Sequence, residues 1–204
     1  MEQEVMQDLS TLIEKGGYVM VPLFILSVIS VALILERFWF WILAGGCCSI
    51  QKSMVLNALL RRGDFSKAKT QVKNDSSPFG LVAKSILTDG VSDAVAMEAI
   101  ESQRPRIDRF MVALSTIITA APLLGILGTV LGIIQSFRLL GEQSVLTDPT
   151  DVAGGIAAAL LTTALGLIIA LVTLFPYMLF RGWSTRAYGR LESLIAAAQQ
   201  GEKA

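Results

Sequence analysis

Two long stretches without a charged residue constrain this sequence more than any other feature. They run from Phe110 to Phe137 and from Val152 to Phe180, which is 28 and 29 residues without Asp, Glu, Lys, Arg or His. A helix needs about 20 apolar residues to cross a bilayer. At 1.5 Å per residue each stretch reaches roughly 42 Å, whereas the hydrocarbon core is about 30 Å thick. Both are therefore predicted to be membrane-spanning helices that project beyond the core.

A shorter apolar stretch near the N-terminus predicts a third span. Tyr18 to Leu35 contains no charged residue, and Glu36-Arg37 closes it. Aromatic residues follow at 39–41, as expected for rings at a membrane–water interface. The stretch is rich in Val, Leu and Ile and poor in small residues, so we expect this helix, at 18–41, to face lipid.

The two longer spans each carry a stripe of small residues at spacings of three and four. Residues at these spacings share one face of a helix. Small faces allow close backbone approach in lipid, where apolar side chains gain little by leaving other hydrocarbon. The stripes therefore predict tightly packed helices, with prolines at Pro122 and Pro176 as candidate kinks. The predicted packing residues are Ala121, Gly125, Gly128, Gly132, Gly155, Ala159 and Gly166.

The remaining segments are short and polar. With 53% hydrophobic and 17% charged residues, the composition is that of an all-α integral membrane protein with a modest soluble part. Three spans then divide the chain into an N-terminal segment 1–17, a first span 18–41, a helical domain 42–109, a second span 110–137, a loop 138–151, a third span 152–180 and a C-terminal helix 181–204.

The helical domain has recognisable helix starts and stops. Gly63 can end one helix and Asp64 can cap the next, which would extend through Lys73. Ser77 followed by Pro78 is typical of a cap and first turn, opening a helix to about Leu87. A cap at Ser92 or Asp93 would start another helix, which Pro105 should kink or interrupt.

The distribution of basic residues predicts the orientation in the membrane. Segments 44–109 and 181–204 contain ten and four Lys or Arg residues, against one each in 1–17 and 138–151. Cytoplasmic segments carry the excess of basic residues. The N-terminus and the 138–151 loop are thus predicted to be outside, with the helical domain and the C-terminus in the cytoplasm.

Several function classes find no support in the sequence. There is no His, and Cys47-Cys48 stand alone, so neither a metal site nor a disulfide framework is indicated. The formal net charge of zero gives no argument for nucleic-acid binding. No catalytic motif is visible and no cofactor is implied. We therefore expect a membrane protein that is not an enzyme.

Two motifs resemble the ExbB/TolQ/MotA proton-channel family, most closely its ExbB/TolQ branch. Residues 121–132, APLLGILGTVLG, match the family's APLLGLLGTVxG segment, and residues 160–167, LLTTALGL, match its LxTTALGL segment. Weaker matches at Gly17 to Leu26, Glu36-Arg37 and Gly63-Asp64-Phe65 extend the likeness over the whole chain. One departure stands out, because Ala158 occupies a position where ExbB and TolQ proteins usually carry a glutamate.

The resemblance implies a subunit of the bacterial inner membrane that assembles as a homopentameric ring. Its second and third spans would surround the single-span helix of a partner similar to ExbD, TolR or MotB, and proton flow would drive work at the cell envelope. The resemblance places Thr129 and Thr163 on the pore face, and Thr162 lies on the small stripe. Since residues 18–35 and the two longer spans contain no charged residue, we expect the partner to supply a proton-carrying Asp.

Alternative interpretations remain for these residues and for the protein as a whole. The three threonines could line a pore or serve packing between helices. Ser115, Thr116 and Thr119 could form a cytoplasmic exit or reflect interfacial polarity alone. A non-conducting membrane scaffold could use the same stripes, while three spans without inverted repeats make a poor solute transporter. Among ions, H⁺ is favoured over Na⁺ because no oxygen-rich cluster accompanies the threonines.

Overall fold

The computed structural model describes residues 18–43, 46–142 and 149–202 of the chain. Within these ranges the protein consists of seven α-helices and contains no strand. We number the helices α1 (Met20–Leu43), α2 (Gly46–Arg61), α3 (Phe65–Val72), α4 (Pro78–Asp89), α5 (Asp93–Ile107), α6 (Met111–Glu142) and α7 (Pro149–Glu202). The predicted N-terminal segment 1–17 and residues 143–148 of the predicted 138–151 loop lie outside the described residues, and the rest of that loop belongs to α6 and α7.

Three of the helices are long and apolar enough to cross a membrane. They are α1, α6 over Met111–Arg138, and α7 from Val152 onward. The prediction of an all-α membrane protein with three spans is thus confirmed. Helix α6 has 32 residues and reaches about 48 Å at 1.5 Å per residue, which exceeds the bilayer hydrocarbon core of about 30 Å.

Helix ends in the segment between α1 and α6 follow local chemistry. The hydroxyl of Ser77 accepts a hydrogen bond from the Gly80 N–H at 3.2 Å, and Pro78 occupies the first turn of α4. Ser92 caps α5 in the same way, through the Val95 N–H at 3.4 Å. These two predicted caps are confirmed because a Ser hydroxyl satisfies an N–H that has no partner inside the helix.

The predicted boundary at Gly63 and Asp64 is found with one difference. Gly63 follows α2 with a φ of 72°, a conformation that favours glycine. Asp64 precedes α3, but its side chain makes no capping hydrogen bond. Its carboxylate instead accepts from the Lys67 ammonium at 3.3 Å. The i,i+3 spacing brings this lysine within reach and offers the carboxylate an ionic alternative to the backbone.

The turn between α5 and α6 follows Pro105 by a few residues, whereas the sequence predicts a kink or interruption at Pro105 itself. Helix α5 continues through Pro105 to Ile107, and α6 begins at Met111. Between them, Phe110 has a φ of 61°, in the left-handed region that a bulky side chain rarely adopts. The chain therefore changes direction at residues 108–110 rather than at the proline itself.

Helix α7 is longer than the sequence suggests. It is continuous for 54 residues and contains Pro176. The sequence predicts a third span that ends at Phe180 and a C-terminal helix from Arg181, and in the structure both belong to one continuous helix. A membrane helix tolerates proline, and the residues after Phe180 include no helix stop of the kind found at Gly63. Helix α6 likewise continues through Pro122.

The chain divides into two compact units, each with its own core. One comprises the described residues up to Ile34 together with Ala113–Tyr177, and the other comprises Leu35–Val112 together with the described residues from Met178. The first core contains Val19, Leu23, Ile117, Ala121 and Ile169. The second is larger and is built mainly from aliphatic residues of α2, α3, α4, α5 and the C-terminal part of α7. The helices that lie wholly in this second unit, α2 to α5, are too short to be candidate membrane spans.

Candidate functional site

The small-residue stripes of α6 and α7 face each other within one chain. A Cβ built on Gly128 would lie 2.9 Å from the Cβ of Thr162, and one built on Gly132 would lie 2.6 Å from the Cβ of Ala159. Further along, Gly155 faces the hydroxyl of Ser136. Larger residues at these glycines would force the backbones apart, so the stripes form the contact seam between the two helices.

The same relationship continues toward the other end of the seam. A Cβ on Gly166 would lie 3.2 Å from the carbonyl carbon of Ala121, and one on Gly125 would lie 2.9 Å from the Cα of Thr163. Ala121 and Ala159 are both buried, with 0% and 3% of their surface exposed. All seven residues predicted for helix packing therefore lie in this seam.

Three threonine hydroxyls converge on one backbone carbonyl. The oxygen of Gly125 lies 3.0 Å from the hydroxyl of Thr129, 3.2 Å from that of Thr162 and 2.9 Å from that of Thr163. Gly125 permits this convergence because it has no side chain between its carbonyl and α7. A carbonyl oxygen has two lone pairs and also serves the helix backbone, so it cannot accept three hydroxyl protons at once.

The hydroxyls of Thr129 and Thr163 are linked to each other as well as to the Gly125 carbonyl. Their hydroxyls are directly hydrogen-bonded to each other, and either oxygen can be the donor. When one donates to the other, the second donates to the Gly125 carbonyl, and the roles can be exchanged by rotating the hydroxyls. Both side chains are only half-buried. The pair therefore keeps lone pairs that can accept a hydrogen bond from a molecule at the helix surface.

Thr162 has different surroundings from its two neighbours. Its surface is 0% exposed, and its hydroxyl donates to the Ala159 carbonyl of its own helix at 2.7 Å. This bond is shorter than its contact with Gly125, so the hydroxyl is satisfied locally. Of the three threonines predicted for a pore, Thr162 lies inside the seam and Thr129 and Thr163 lie at its edge.

A second group of hydroxyls lies on α6 before Pro122. Thr116 and Thr119 are exposed, and Ser115 is half-buried. The hydroxyl of Thr119 bonds back to the helix, at 2.9 Å from the carbonyl of Thr116 and 3.3 Å from that of Ser115. The structure thus brings these three residues together on one side of the helix, one to two turns before Pro122.

A hydroxyl contact that sequence reasoning missed joins α1 to α7. Ser30 and Thr173 are both buried, with 1% and 0% exposure, and their hydroxyl oxygens lie 2.6 Å apart. Thr173 also donates to the carbonyl of Ile169 at 2.7 Å. Thr173 lies seven residues after Gly166, on the same face of α7 as the small stripe, but Ser30 stands alone among large apolar residues. Only its polarity within a span could have indicated a partner.

A buried arginine at the end of α1 was also missed. Arg37 is 1% exposed, and its guanidinium pairs with Glu36 at 2.8 Å and contacts the carbonyl of Ile107 at 3.1 Å. Adjacency to Glu36 predicts the ion pair, but the carbonyls of α5 are seventy positions away in the sequence. The sequence signal that could have indicated a structural role for Arg37 is its position directly after a predicted membrane span.

The site lacks the groups that metal binding or acid–base catalysis requires. Residues 110–137 and 152–180 contain no carboxylate, amine or imidazole. Within the described ranges, no three His, Cys, Asp or Glu side chains come together as a metal site. What the arrangement offers is a row of hydroxyls and one carbonyl, which can solvate a proton carrier and accept hydrogen bonds from it.

The chain is similar to known membrane proteins over most of its length. Residues 72–193 match the model of the MotA/TolQ/ExbB proton channel family. A putative biopolymer transport protein, ExbB-like 3 of Synechocystis sp., is 32% identical over 186 residues, covering 87% of each chain. The biopolymer transport protein exbB1 of Vibrio cholerae is 28% identical over 203 residues, or 93% of this chain and 86% of that protein.

A TolQ protein matches a shorter part of the chain. The Tol-Pal system protein TolQ of Pseudomonas aeruginosa is 36% identical over 102 residues, which is 50% of this chain and 43% of TolQ. The family match, the long alignments to ExbB proteins and the three apolar helices agree with the two sequence motifs on α6 and α7. The protein is a multi-pass membrane protein and belongs to the ExbB/TolQ branch of the MotA/TolQ/ExbB proton channel family.

Proposed function

We propose that this chain is the ring-forming subunit of a proton-driven complex in the bacterial inner membrane. In this proposal α6 and α7 of several copies, most simply five, surround the single-span helix of a second protein. Proton flow along that helix powers mechanical work or energised transport at the cell envelope. The subunit conducts ions and binds a partner, and it is not an enzyme.

The observation that carries the proposal is the half-buried hydroxyl pair of Thr129 and Thr163 on the Gly125 carbonyl. A proton path through lipid needs a titratable group, usually a buried carboxylate. The spans of this chain provide none. The pair can instead hydrate a carboxyl group of the partner, accept a hydrogen bond from its protonated form and donate one to its ionised form. We assign the proton-carrying Asp to the partner for this reason.

Unpaired apolar surface on both helices supports assembly into a ring. Large apolar residues of α6 and α7 remain more than two-fifths exposed in a single chain, although both helices are membrane spans. Such surfaces can face lipid, another copy or the partner helix. The exposed residues include Leu123, Ile126, Leu127, Leu131, Leu160, Leu167, Ile168 and Leu171. Native mass spectrometry in mild detergent tests the ring, and a stable monomer at micromolar concentration would exclude it.

The proposed orientation puts the larger helical domain in the cytoplasm. Residues 42–109 and 181–204 hold most of the basic residues, and cytoplasmic segments of membrane proteins carry this excess. Segment 1–17 and the 138–151 loop would then be periplasmic. Ser115, Thr116 and Thr119, near the start of α6, would lie at the cytoplasmic end of the path and form its exit. Labelling of single cysteines at Ser66 and Asp148 from each side of the membrane tests this orientation.

We assign different roles to the three threonines of the motif. Thr129 and Thr163 line the path, while Thr162 packs against Gly128 inside the seam. Ala158, in the position of the family's glutamate, leaves this subunit without a carboxylate of its own. We therefore expect the partner's Asp to be the sole titratable group in the membrane path.

A non-conducting scaffold is the second candidate function. It is favoured by the fact that every one of the three hydroxyls has an acceptor within the chain. A scaffold would need these bonds for packing alone. Reconstitution with a single-span partner protein separates the two. Acidification of vesicles measured with a pH-sensitive dye should depend on both proteins, whereas a scaffold would form the same complex without proton flux.

A further inference from the structure

The turn from which α6 begins is bound by side chains of two other helices. Helix α5 ends at Ile107, and residues 108–110 connect it to Met111 at the start of α6. Phe110 in this turn has a φ of 61°. A bulky residue in the left-handed region costs free energy, so the turn needs contacts that hold it in this conformation.

Arg37 of α1 provides the first set of these contacts. Its Nη1 donates to the carbonyl of Ile107 at 3.1 Å and to that of Arg106 at 3.3 Å. The last carbonyls of a helix have no partner inside the helix and carry a partial negative charge. A guanidinium placed there satisfies them and interacts favourably with the helix dipole. Arg37 therefore caps α5 from another helix.

The buried positive charge of Arg37 is balanced by neighbouring groups. Its Nε donates to Glu36 at 2.8 Å, and its guanidinium carbon lies 4.4 Å from the centre of the Phe40 ring. Glu36 is 37% exposed and also pairs with Arg109 at 3.6 Å. The planar fork of arginine can serve a carboxylate and two carbonyls at once, which a lysine ammonium on a flexible stem cannot do in the same geometry.

A side chain of helix α7 also binds this turn. The hydroxyl of Tyr188 donates to the carboxylate of Asp108 at 2.7 Å. Asp108 is the residue that follows α5, and its N–H donates to the carbonyl of Arg104 at 2.9 Å. Residues 106–108 are thus bound by both Arg37 and Tyr188.

We propose that Arg37 is a positioning residue for proton conduction, which caps α5 and thereby fixes the turn from which α6 starts. The inference rests on the proposed function, because α6 is the helix that carries Gly125 and Thr129. Helix α6 is continuous from Met111. A slip of the turn by one residue would rotate that helix by about 100° and move it by about 1.5 Å, which would separate the Thr129 and Thr163 hydroxyls.

The test compares Arg37→Gln and Arg37→Lys with the wild-type chain, each purified with its single-span partner. Hydrogen exchange of the amides at 104–112 reports the turn directly, and proton flux into vesicles reports conduction. Arg37→Gln should speed exchange of these amides by about tenfold relative to the amides of α4, which lies in the same unit. Its flux, at equal amounts of assembled complex, should fall by about tenfold, and Arg37→Lys should be intermediate.

Two further variants separate the cap from the charge pair. Glu36→Gln removes the carboxylate but leaves Arg37 to bind the carbonyls of α5, so most of the flux and the slow exchange should remain. Arg181→Gln removes an exposed guanidinium of α7 and should change neither. If Arg37→Gln does not assemble, Arg37→Lys must still show faster exchange at 104–112 than Glu36→Gln.

The proposal is overturned if both Arg37 variants keep wild-type exchange at 104–112, or if exchange rises equally in α4, which would indicate a general loss of stability. It is also overturned if Glu36→Gln abolishes the flux while the turn stays protected. If the wild-type complex itself conducts no protons, the proposed function fails. The exchange measurement then still decides whether Arg37 fixes the turn.

Discussion

The hydroxyl oxygens of Ser30 on α1 and Thr173 on α7 lie 2.6 Å apart, and both side chains are buried. This contact connects the first membrane helix, α1, to α7, the helix that carries Thr163. In a membrane span a hydroxyl has few alternative partners, yet interhelical hydrogen bonds contribute only about 0.6 kcal/mol on average. The contact therefore specifies which face of α1 packs on α7 more than it stabilises the fold.

Removing this hydroxyl contact should have a small and non-additive effect. We expect Thr173→Val and Ser30→Ala each to lower the free energy of unfolding by about 0.6 kcal/mol, and the double variant to lose little more. Thr185→Val is the matched control, since Thr185 is exposed and bonds only to the carbonyl of Arg181 on its own helix. Unfolding in mixed detergent measures all four. Additive losses would contradict a direct bond between the two hydroxyls.

Adding one methyl group to the seam should be costly at Gly132. Its new Cβ would lie 2.6 Å from the Cβ of Ala159. We expect Gly132→Ala to destabilise the protein by about 1–3 kcal/mol, because a packed interior does not accept extra volume without strain. Adding Ala159→Gly should recover much of the loss, since it removes the methyl group that the new one meets.

Gly154→Ala is the control for that substitution, because a Cβ at Gly154 meets nothing within 4 Å. Alanine is the better helix former by about 1 kcal/mol, so this variant should be neutral or more stable than the wild-type chain. Thermal unfolding followed by circular dichroism in detergent measures the set. Equal losses at Gly132 and Gly154 would show that the two glycines do not differ in packing.

The seam is the part of the structure that the sequence predicts best. Spacings of three and four between small residues place them on one helix face, and that face is what α6 and α7 turn to each other. The caps at Ser77 and Ser92 were likewise predictable, because each depends on residues only three positions apart. Patterns of this kind are local, so they survive without knowledge of the tertiary structure.

Features that depend on distant residues could not be predicted in this way. Arg37 binds the carbonyls of Arg106 and Ile107, and no local pattern links α1 to the end of α5. The separation of Thr162 from Thr129 and Thr163 also needed the structure, because adjacent threonines differ by about 100° around the helix and only packing decides which one is buried. That the predicted third span and C-terminal helix form one continuous helix also needed the structure, because composition marks where apolar residues end and not where a helix ends.

A carboxylate introduced at position 158 tests whether this face of α7 contacts water. Ala158 is half-buried in the single chain and Ala164 is exposed, and the two lie about 120° apart around the helix. We expect Ala158→Glu to assemble with the partner at wild-type levels. Ala164→Glu, if it faces lipid, should assemble poorly, because a charge at mid-membrane costs about 2.5–3.5 kcal/mol on insertion scales.

The amount of complex recovered after affinity purification of the partner measures this difference. An equal loss of complex in both glutamate variants would indicate that position 158 faces lipid or a dry contact. In that case the proposed path does not extend along α7 as far as Ala158.

Replacing the threonine pair tests the central claim, that hydroxyls of Thr129 and Thr163 serve proton conduction. Thr→Val keeps the shape of the side chain and removes its hydroxyl, whereas Thr→Ser keeps the hydroxyl and leaves a cavity that costs about 1 kcal/mol when buried. A conducting role and a packing role therefore predict opposite rankings. Thr185→Val again serves as a control that removes a hydroxyl from α7 outside the site.

The most direct measurement is partner-dependent proton flux into vesicles for Thr129→Val/Thr163→Val and for Thr129→Ser/Thr163→Ser, at matched amounts of assembled complex. The valine variant should assemble normally and lose about tenfold or more of its flux, a loss of 1.4 kcal/mol or more in barrier terms, while the serine variant stays close to the wild-type rate. If the valine variant conducts as the wild type does and the serine variant fails to assemble, the two threonines only pack, and the assignment of the proton path to this seam is contradicted.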